Sequence, residues 1–152
     1  IDISPEKLAA AEKYGAVPVD ASVCDPVASI QKNTKGKGID VSLEAIGLPT
    51  TMQQAVRCLA VFGRAALAGI AEFPFAVDSY QELLGKEAEI IGCSDHLYEE
   101  LPLLLEFLRQ GRIEFTHVIT DTVSLGAEAI NEVLDNLEQF KSQVRTVIKP
   151  NQ

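Results

Sequence analysis

The chain has 152 residues, a formal net charge of −9 and 47% hydrophobic residues. This length and apolar content suit about one globular domain with a buried core, and they exclude a disordered or low-complexity chain. The acidic balance argues against a nucleic-acid or anionic-membrane partner, since phosphate binding needs an excess of Lys and Arg. No apolar run approaches the roughly 20 residues that span a bilayer. The three Cys are widely spaced, which favours a reducing, cytoplasmic setting over a disulfide framework.

The first half of the chain alternates helix signals with strand signals. Ser4-Pro5-Glu6 and Asp25-Pro26 each place a capping side chain before a proline, which predicts helices that end at Gly15 and at Gly36-Lys37-Gly38. Thr50 to Gln53 fits a capping box and predicts a third helix. The predicted strands cover 17–19, 39–46, 64–70 and 88–92, with a short helical stretch at 80–84. Apolar strands that alternate with helices favour a parallel sheet covered on both faces.

The pattern changes after Gly92, and the natural domain boundary lies between residues 95 and 96. An amphipathic helix over 99–110, a strand over 117–123, a helix over 127–140 and a strand over 144–148 are predicted beyond it. We therefore expect an α/β fold with a doubly wound parallel sheet over residues 1–95 and a C-terminal α+β extension over residues 96–152.

Asp2 directly precedes the first predicted helix, at the end of a short strand pattern formed by Ile1 and Ile3. In dinucleotide-binding folds an acid at this position accepts hydrogen bonds from the adenosine ribose and disfavours a 2′-phosphate. The second interpretation is that Asp2 is a solvated acid near a helix N-terminus and binds no ligand. On position alone, the second interpretation is favoured.

Small residues follow three consecutive predicted strands. The loops are Glu44-Ala45-Ile46-Gly47, Ala68-Gly69-Ile70 and Gly92-Cys93-Ser94. Parallel strands end at one edge of a sheet, and small residues there let a ligand approach the backbone, so the loops predict a ligand site. Tight turns between strand and helix would use the same residues. One such loop is weak evidence, and three in succession are stronger.

Other chemical motifs in the sequence are weak. Gly36-Lys37-Gly38 precedes a strand and lacks a third glycine, so we interpret it as a turn and not as a dinucleotide fingerprint. Cys93 and His96 have C-x-x-H spacing, but no second pair completes a tetrahedral zinc site. Cys58 falls on the apolar side of a predicted helix and is expected in the core. No G-x-S-x-G, H-E-x-x-H or Walker motif supports a hydrolase or a phosphoryl transferase.

A series of short motifs runs in order along essentially the whole chain. They are Asp2-Ile3-Ser4-Pro5-Glu6-Lys7-Leu8, Tyr14-Gly15-Ala16, Asp25-Pro26, Gly36-Lys37-Gly38-Ile39-Asp40-Val41, Glu44-Ala45-Ile46-Gly47, Gly63-Arg64, Gly69, Gly92 and Val144-Arg145-Thr146-Val147. Each motif is unspecific by itself. The ordered series at these spacings resembles the zinc-dependent, medium-chain alcohol dehydrogenase family.

The resemblance implies a Rossmann-like nucleotide-binding sheet and gives cofactor-binding roles to residues of this chain. Asp2 and Lys7 would lie at the adenosine ribose, and Ala45 and Ile46 would lie near the adenine. Two segments would lie at the nicotinamide end: Ala68, Gly69 and Ile70, and Cys93, Ser94 and Asp95. Arg145 would lie at a phosphate. An exposed or ion-paired arginine at a strand start is the alternative for the last of these. The acid at Asp2 favours NAD over NADP.

The resemblance also implies that this chain is a fragment. In the family, the zinc ligands and the proton relay lie in a preceding catalytic domain, so we expect no catalytic or metal-binding residue here. The first strand of the nucleotide fold, its Gly-rich turn and the pyrophosphate-binding helix would also be missing. Residues 1–95 would then be a partial dinucleotide-binding domain, and residues 96–152 the last part of the catalytic domain. The start at Ile1, with Met52 the only methionine, agrees with a fragment or processed chain.

The implied parent enzyme transfers a hydride between NAD(H) and a small alcohol or carbonyl substrate, with zinc polarising the substrate oxygen. A cytoplasmic homodimer or homotetramer is expected, and the fragment alone should bind NAD weakly and lack turnover. Two alternatives stay open. One is a zinc-independent quinone or enoyl reductase of the same superfamily. The other is a non-catalytic dimerisation module that pairs through Ala88 to Ile91.

Overall fold

The computed structural model describes residues 1–95, 97–114, 118–139 and 145–150. Its main elements are α1 (Pro5–Lys13), α2 (Pro26–Asn33), β1 (Ile39–Glu44), α3 (Pro49–Arg57), β2 (Leu59–Leu67), β3 (Glu89–Gly92), α4 (Leu101–Arg109), β4 (Asp121–Ser124), α5 (Ala127–Glu138) and β5 (Thr146–Lys149). The chain divides into two compact units, one of Ile1 with Val19–His96 and one of Asp2–Pro18 with Leu97–Gln152. The predicted boundary between residues 95 and 96 stays a prediction.

The first unit contains a three-stranded parallel sheet in the order β1-β2-β3. The last residues of the strands are in register, with Glu44 opposite Leu67 and Leu67 opposite Gly92. The α/β class and the parallel pairing are therefore as predicted. Because the strands run in one direction, their carboxyl ends form a single edge, which we name the carboxyl edge.

The core of the first unit lies on one face of this sheet. Val56 of α3 packs with Leu59 and Ala65 of β2, and partly buried apolar residues surround this cluster. Alternate residues of β1 point to opposite faces, so Glu44 is 4% exposed whereas Leu43 is 82% exposed. Within the described residues, α3 and its neighbours cover one face of β1, and Val41 and Leu43 on the opposite face are exposed.

The second unit contains α1 and a two-stranded parallel sheet of β4 and β5, with Asp121 opposite Thr146. α1 begins and ends as predicted, because the Ser4 hydroxyl accepts a hydrogen bond from Lys7 N at 3.4 Å and Gly15 takes a φ of +83° after the last turn. In the part of the chain that the structure describes, no helix is long and apolar enough to cross a membrane.

Several predicted bounds in the first half are wrong. Residues 17–19 do not form a strand, because Pro18 has no N–H to donate to a neighbouring strand. Residues 1–3 are likewise not a strand. β1 ends at Glu44, two residues before the predicted end at Ile46.

α3 and β2 also begin elsewhere than predicted. α3 begins at Pro49 after Leu48 and has no side-chain cap. The predicted capping box of Thr50 and Gln53 does not form, because α3 begins one residue before Thr50 and the Gln53 side-chain amide donates to the Ala76 carbonyl at 3.1 Å. β2 begins at Leu59 and ends at Leu67. Near its start, residues 60–63 form a bulge opposite a single residue of β1.

The elements of the second half lie close to their predicted positions. α4 ends before Gly111, whose φ is +67°, and follows a short turn over Tyr98–Glu100. The predicted strands at 117–123 and 144–148 correspond to β4 and β5. His117, Phe140 and Val144, which bounded these predictions, lie outside the described residues, as does His96 of the C-x-x-H pattern.

Candidate functional site

The three loops that follow β1, β2 and β3 meet at the carboxyl edge. The Glu44 carbonyl accepts hydrogen bonds from Ala68 N at 2.7 Å and Gly69 N at 3.1 Å. Cys93 N donates to the Leu67 carbonyl at 2.9 Å. The structure thereby brings together the predicted site residues of the first unit: Ala45, Ile46, Ala68, Gly69, Ile70, Cys93, Ser94 and Asp95.

Two glycines let the first two loops approach each other. Gly47 has a φ of +89°, and a Cβ there would overlap the carbonyl of Ile70. A Cβ on Gly69 would overlap Gly47 N and would come 2.5 Å from Glu44 Oε2. Glycine at both positions therefore allows the two loops to pack directly against each other. The neighbouring Ile46 is exposed and Ile70 is 95% exposed, so their side chains are the surface that the two loops present.

Glu44 is a buried acid at the end of β1, on this edge. Its Oε1 accepts hydrogen bonds from Ile46 N and Gly47 N at 2.9 Å each and from the Thr51 hydroxyl at 2.7 Å. Its Oε2 is buried and has no hydrogen-bond partner among the described residues. Burying a carboxylate is costly unless donors replace the lost water, and here they come from the loop and from α3.

Glu44 is not among the site residues that the sequence predicts, although it opens one of the three loops. Two sequence features point to its role in retrospect. An acid occupies the last, inward-facing position of a strand, directly before Ala45-Ile46-Gly47. A hydroxyl at Thr51 follows in the first turn of the next helix, where it can reach back to the strand end.

Asp2 belongs to the second unit and lies directly before α1. Its Oδ1 accepts hydrogen bonds from Ile3 N at 2.8 Å and Ser4 N at 2.9 Å, which orders the turn into the helix. Oδ2 takes part in neither bond. Lys7 is exposed on the first turn of α1. The geometry fits both interpretations of Asp2, since one oxygen supports the helix start and the other is not used by these two donors.

Arg145 also belongs to the second unit and directly precedes β5. Its carbonyl accepts hydrogen bonds from Thr120 N at 2.9 Å and Asp121 N at 3.3 Å, so its backbone is fixed beside β4. The residue is exposed. This position fits either a phosphate contact or the alternative of an arginine exposed at a strand start.

The cysteines do not assemble a metal site in the part of the chain that is described. No group of three His, Cys, Asp or Glu side chains lies close enough to hold a metal ion within those residues. Cys58 is 2% exposed and lies in the core, as predicted. Cys93 and Cys24 are exposed free thiols.

A cavity of about 370 Å³ lies between α2 and α3. It is lined by Asp25, Pro26, Val27, Thr50, Gln53, Gln54 and Arg57. None of the predicted site residues lines this cavity. Arg57 is paired with Glu82 at 2.7 Å, so its charge is already balanced. The carboxyl edge, and not this cavity, is therefore the candidate site of the first unit.

Comparison with known proteins identifies the family. Residues 1–110 match the family model described as zinc-binding dehydrogenase. The chain is 27% identical over 151 residues to (R,R)-butanediol dehydrogenase of Bacillus subtilis (strain 168), covering 99% of this chain and 43% of that protein. It is 27% identical over 154 residues to an NAD-dependent alcohol dehydrogenase of Saccharolobus solfataricus, covering 99% of this chain and 42% of that protein.

The solved structures agree with this assignment. The crystal structure of 2R,3R-butanediol dehydrogenase from Bacillus subtilis matches with a TM-score of 0.84 and 29% identity, covering 98% of this chain and 42% of that one. The chain thus spans less than half of the length of the relatives it matches. The family match covers well over half of this chain and confirms the resemblance carried by its motifs. The chain belongs to the zinc-binding dehydrogenase family.

Proposed function

We propose that a protein containing this chain is an NAD(H)-dependent alcohol dehydrogenase, and that this chain supplies part of its cofactor-binding surface. The observation that carries the proposal is the carboxyl edge, where three parallel strands end in register in loops of small and exposed residues. Open α/β sheets bind ligands at this edge. The similar proteins include an NAD-dependent alcohol dehydrogenase and a butanediol dehydrogenase, so a small alcohol or carbonyl compound is the proposed substrate.

The residues of the carboxyl edge would bind and orient the cofactor. Ala45 and Ile46 would contact the adenine, with the exposed Ile46 side chain as the apolar surface. The segments Ala68–Gly69–Ile70 and Cys93–Ser94–Asp95 would meet the nicotinamide end through backbone groups. The bound NAD supplies the hydride acceptor, and the protein supplies position and exclusion of water.

Charged residues of the second unit have separate proposed roles. Asp2 would accept hydrogen bonds from the ribose hydroxyls through Oδ2, because Oδ1 is already used by two backbone donors. Its negative charge would disfavour a 2′-phosphate and so favour NAD over NADP. Lys7 would lie beside the same ribose, and Arg145 would pair with a phosphate.

The proposal gives no residue of this chain a catalytic or metal-binding role. Zinc belongs to the proposed enzyme, with ligands outside this chain, and would polarise the substrate oxygen when bound. We further propose that residues 1–95 belong to the dinucleotide-binding domain and residues 96–152 to the catalytic domain. A cytoplasmic homodimer or homotetramer completes the proposal.

An assay of NADH formation tests this function. A purified protein that contains this chain is mixed with NAD and, separately, with butane-2,3-diol, sorbitol and simple primary and secondary alcohols. We expect NADH to form with at least one alcohol, more slowly with NADP, and to stop after treatment with a chelator. Oxidation of NADH or NADPH by a quinone or an enoyl compound, without alcohol-dependent NADH formation, would instead favour the zinc-independent reductase. No reduction with any alcohol would contradict the proposed dehydrogenase.

A pairing role for β3 is the second candidate function. β3 is at one end of the order β1-β2-β3, and all its residues are exposed. An edge strand with exposed Ile90 and Ile91 can pair with a second copy through the backbone groups on the side that faces away from β2. Replacement of Ile91 by Lys would then convert a dimer to a monomer in sedimentation, while cofactor binding would be retained.

A further inference from the structure

Glu44 holds two loops of the carboxyl edge at the same time. Its side chain binds the first loop through Ile46 N and Gly47 N. Its carbonyl binds the second loop through Ala68 N and Gly69 N. Because a single residue bonds to both loops, a shift of Glu44 would change the position of Ile46 relative to Gly69.

The contacts around the carboxylate leave it little freedom. Thr51 of α3 donates to the same Oε1, which ties the carboxylate to the helix that follows the loop. Oε2 lies against Gly69, where a Cβ would approach it to 2.5 Å. The first loop and α3 are therefore hydrogen-bonded to one carboxylate, and the second loop is hydrogen-bonded to the backbone carbonyl of the same residue. Hydrogen bonds to an ionised acceptor are roughly twice as strong as neutral ones, which makes this group an effective clamp.

We propose that Glu44 is the positioning residue of the cofactor site: it fixes the loop of Ile46 relative to the segment Ala68–Gly69–Ile70 and so sets the affinity for the dinucleotide. This inference rests on the proposed function. Glu44 is 4% exposed, so it acts through the loops it holds and does not touch the cofactor. Small displacements of groups that position a bound molecule are costly, with an error of about 1 Å worth up to about a hundredfold in rate.

The variant Glu44→Gln tests the proposal because it keeps the size of the side chain. In either orientation of the amide, an N–H donor replaces a buried oxygen, and the charge that strengthens the three hydrogen bonds is lost. In a protein containing this chain, we expect the dissociation constant for NADH to rise at least about tenfold. Hydrogen exchange at Ile46 N and Gly47 N should accelerate by a similar factor, since these amides lose their charged acceptor.

Ser42→Ala is the matched control. Ser42 is buried in the same strand, and its hydroxyl donates to the Ala55 carbonyl at 2.9 Å without touching either loop. We expect this variant to unfold at a lower temperature and yet bind NADH as the wild type does. Thr51→Val, which removes one of the three donors, should weaken NADH binding less than Glu44→Gln, and Thr51→Ser should restore it.

The outcomes separate this inference from the proposed function. Wild-type protein that binds no NADH would contradict the proposed function and, with it, this inference. Wild-type protein that binds NADH, together with a Glu44→Gln variant that binds it equally well while folded, would overturn the inference alone. Equal losses of affinity in Ser42→Ala and Glu44→Gln would show a general effect of stability and would also overturn it.

Discussion

Asp25 and Asp78 each accept two backbone hydrogen bonds at the start of a helical turn. Asp25 Oδ1 accepts hydrogen bonds from Val27 N at 2.9 Å and Ala28 N at 3.5 Å, and Asp78 Oδ1 accepts from Tyr80 N and Gln81 N at 2.9 Å each. Such a cap contributes about 1 kcal/mol by satisfying N–H groups that the helix leaves free. Glu44 uses the same chemistry at a strand end, where the donors belong to a loop and to a helix. At the scale of single residues, these three acids therefore fix the backbone where α2, the turn after Asp78 and the loop after β1 begin.

The buried thiol of Cys58 leads us to expect that the chain loses stability at high pH. Burial raises the pKa of this thiol above its ordinary value of 9.0. The folded chain then holds the thiol proton more tightly than the unfolded chain does. The protonated thiol therefore makes its full contribution to stability below the pKa that it has in the unfolded chain, and this contribution is lost as pH rises through the higher pKa that it has in the folded chain. We expect the free energy of unfolding to fall above about pH 9, by at most about 1.4 kcal/mol per pH unit from this group.

Urea titrations between neutral and alkaline pH measure this effect. Cys58→Ala should reduce the slope of stability against pH in the alkaline range, whatever its effect on absolute stability. Cys24→Ser, at an exposed thiol, is the control and should leave the slope unchanged. The same slope in Cys58→Ala as in the wild type would show that another group causes the decline.

At the scale of elements, the bulge of β2 is the least regular part of the sheet. Residues 60–63 lie opposite a single residue of β1, and Phe62 has a φ of +62° while being 68% exposed. This backbone region costs a residue with a Cβ about 1–2 kcal/mol, and the exposed ring recovers little of it by packing. The bulge is therefore strained at one identifiable residue.

Phe62→Gly should relieve that strain. After subtraction of the extra entropy that glycine gives the unfolded chain, we expect the free energy of unfolding to rise by about 0.5–1 kcal/mol. Val61→Gly is the control, because Val61 is also exposed but does not have a positive φ, and it should destabilise the chain. Destabilisation of similar size in both variants, measured by urea unfolding, would argue against strain at Phe62.

The elements that could be predicted are those with local signals. α1 and α2 begin at Pro5 and Pro26 because Ser4 and Asp25 reach backbone donors two or three residues ahead. The prediction for the start of β2 is wrong because strand pairing depends on residues distant in sequence. The predicted cap of α3 is wrong because Gln53 donates to the carbonyl of Ala76, which is 23 residues away in sequence.

The candidate site was predictable in the same partial way. The three loops could be placed at one edge because parallel strands end together, a rule that needs only the order of elements. The part that could not be predicted is the contact of Glu44 with Gly69, which depends on how closely two loops pack. The sequence contains both residues, but their distance is a property of the fold.

At the scale of the whole molecule, the described residues expose a large amount of apolar surface. Val41 and Leu43 on β1 are exposed, and so are Leu103 and Leu105 on α4. Exposed apolar patches of this kind mark surfaces that contact other protein segments. The relatives of this chain are more than twice as long as the part it matches, which agrees with such contacts in a longer protein.

The 152-residue chain by itself should therefore self-associate. We expect sedimentation at increasing concentration to show oligomers, and Leu43→Lys to reduce them by placing a charge on the open face of β1. Val23→Lys changes an equally exposed residue outside the sheet and should have little effect. A chain that stays monomeric at every concentration would contradict this expectation.

A fluorescence titration of a protein containing this chain with NADH and with NADPH tests the proposed cofactor site most directly. We predict that NADH binds at least about tenfold more tightly than NADPH, since the charge of Asp2 opposes a 2′-phosphate. Asp2→Ser should remove most of this preference, whereas Glu6→Gln, which removes an equal charge in the first turn of α1, should preserve it. Binding of neither dinucleotide would contradict the proposed site.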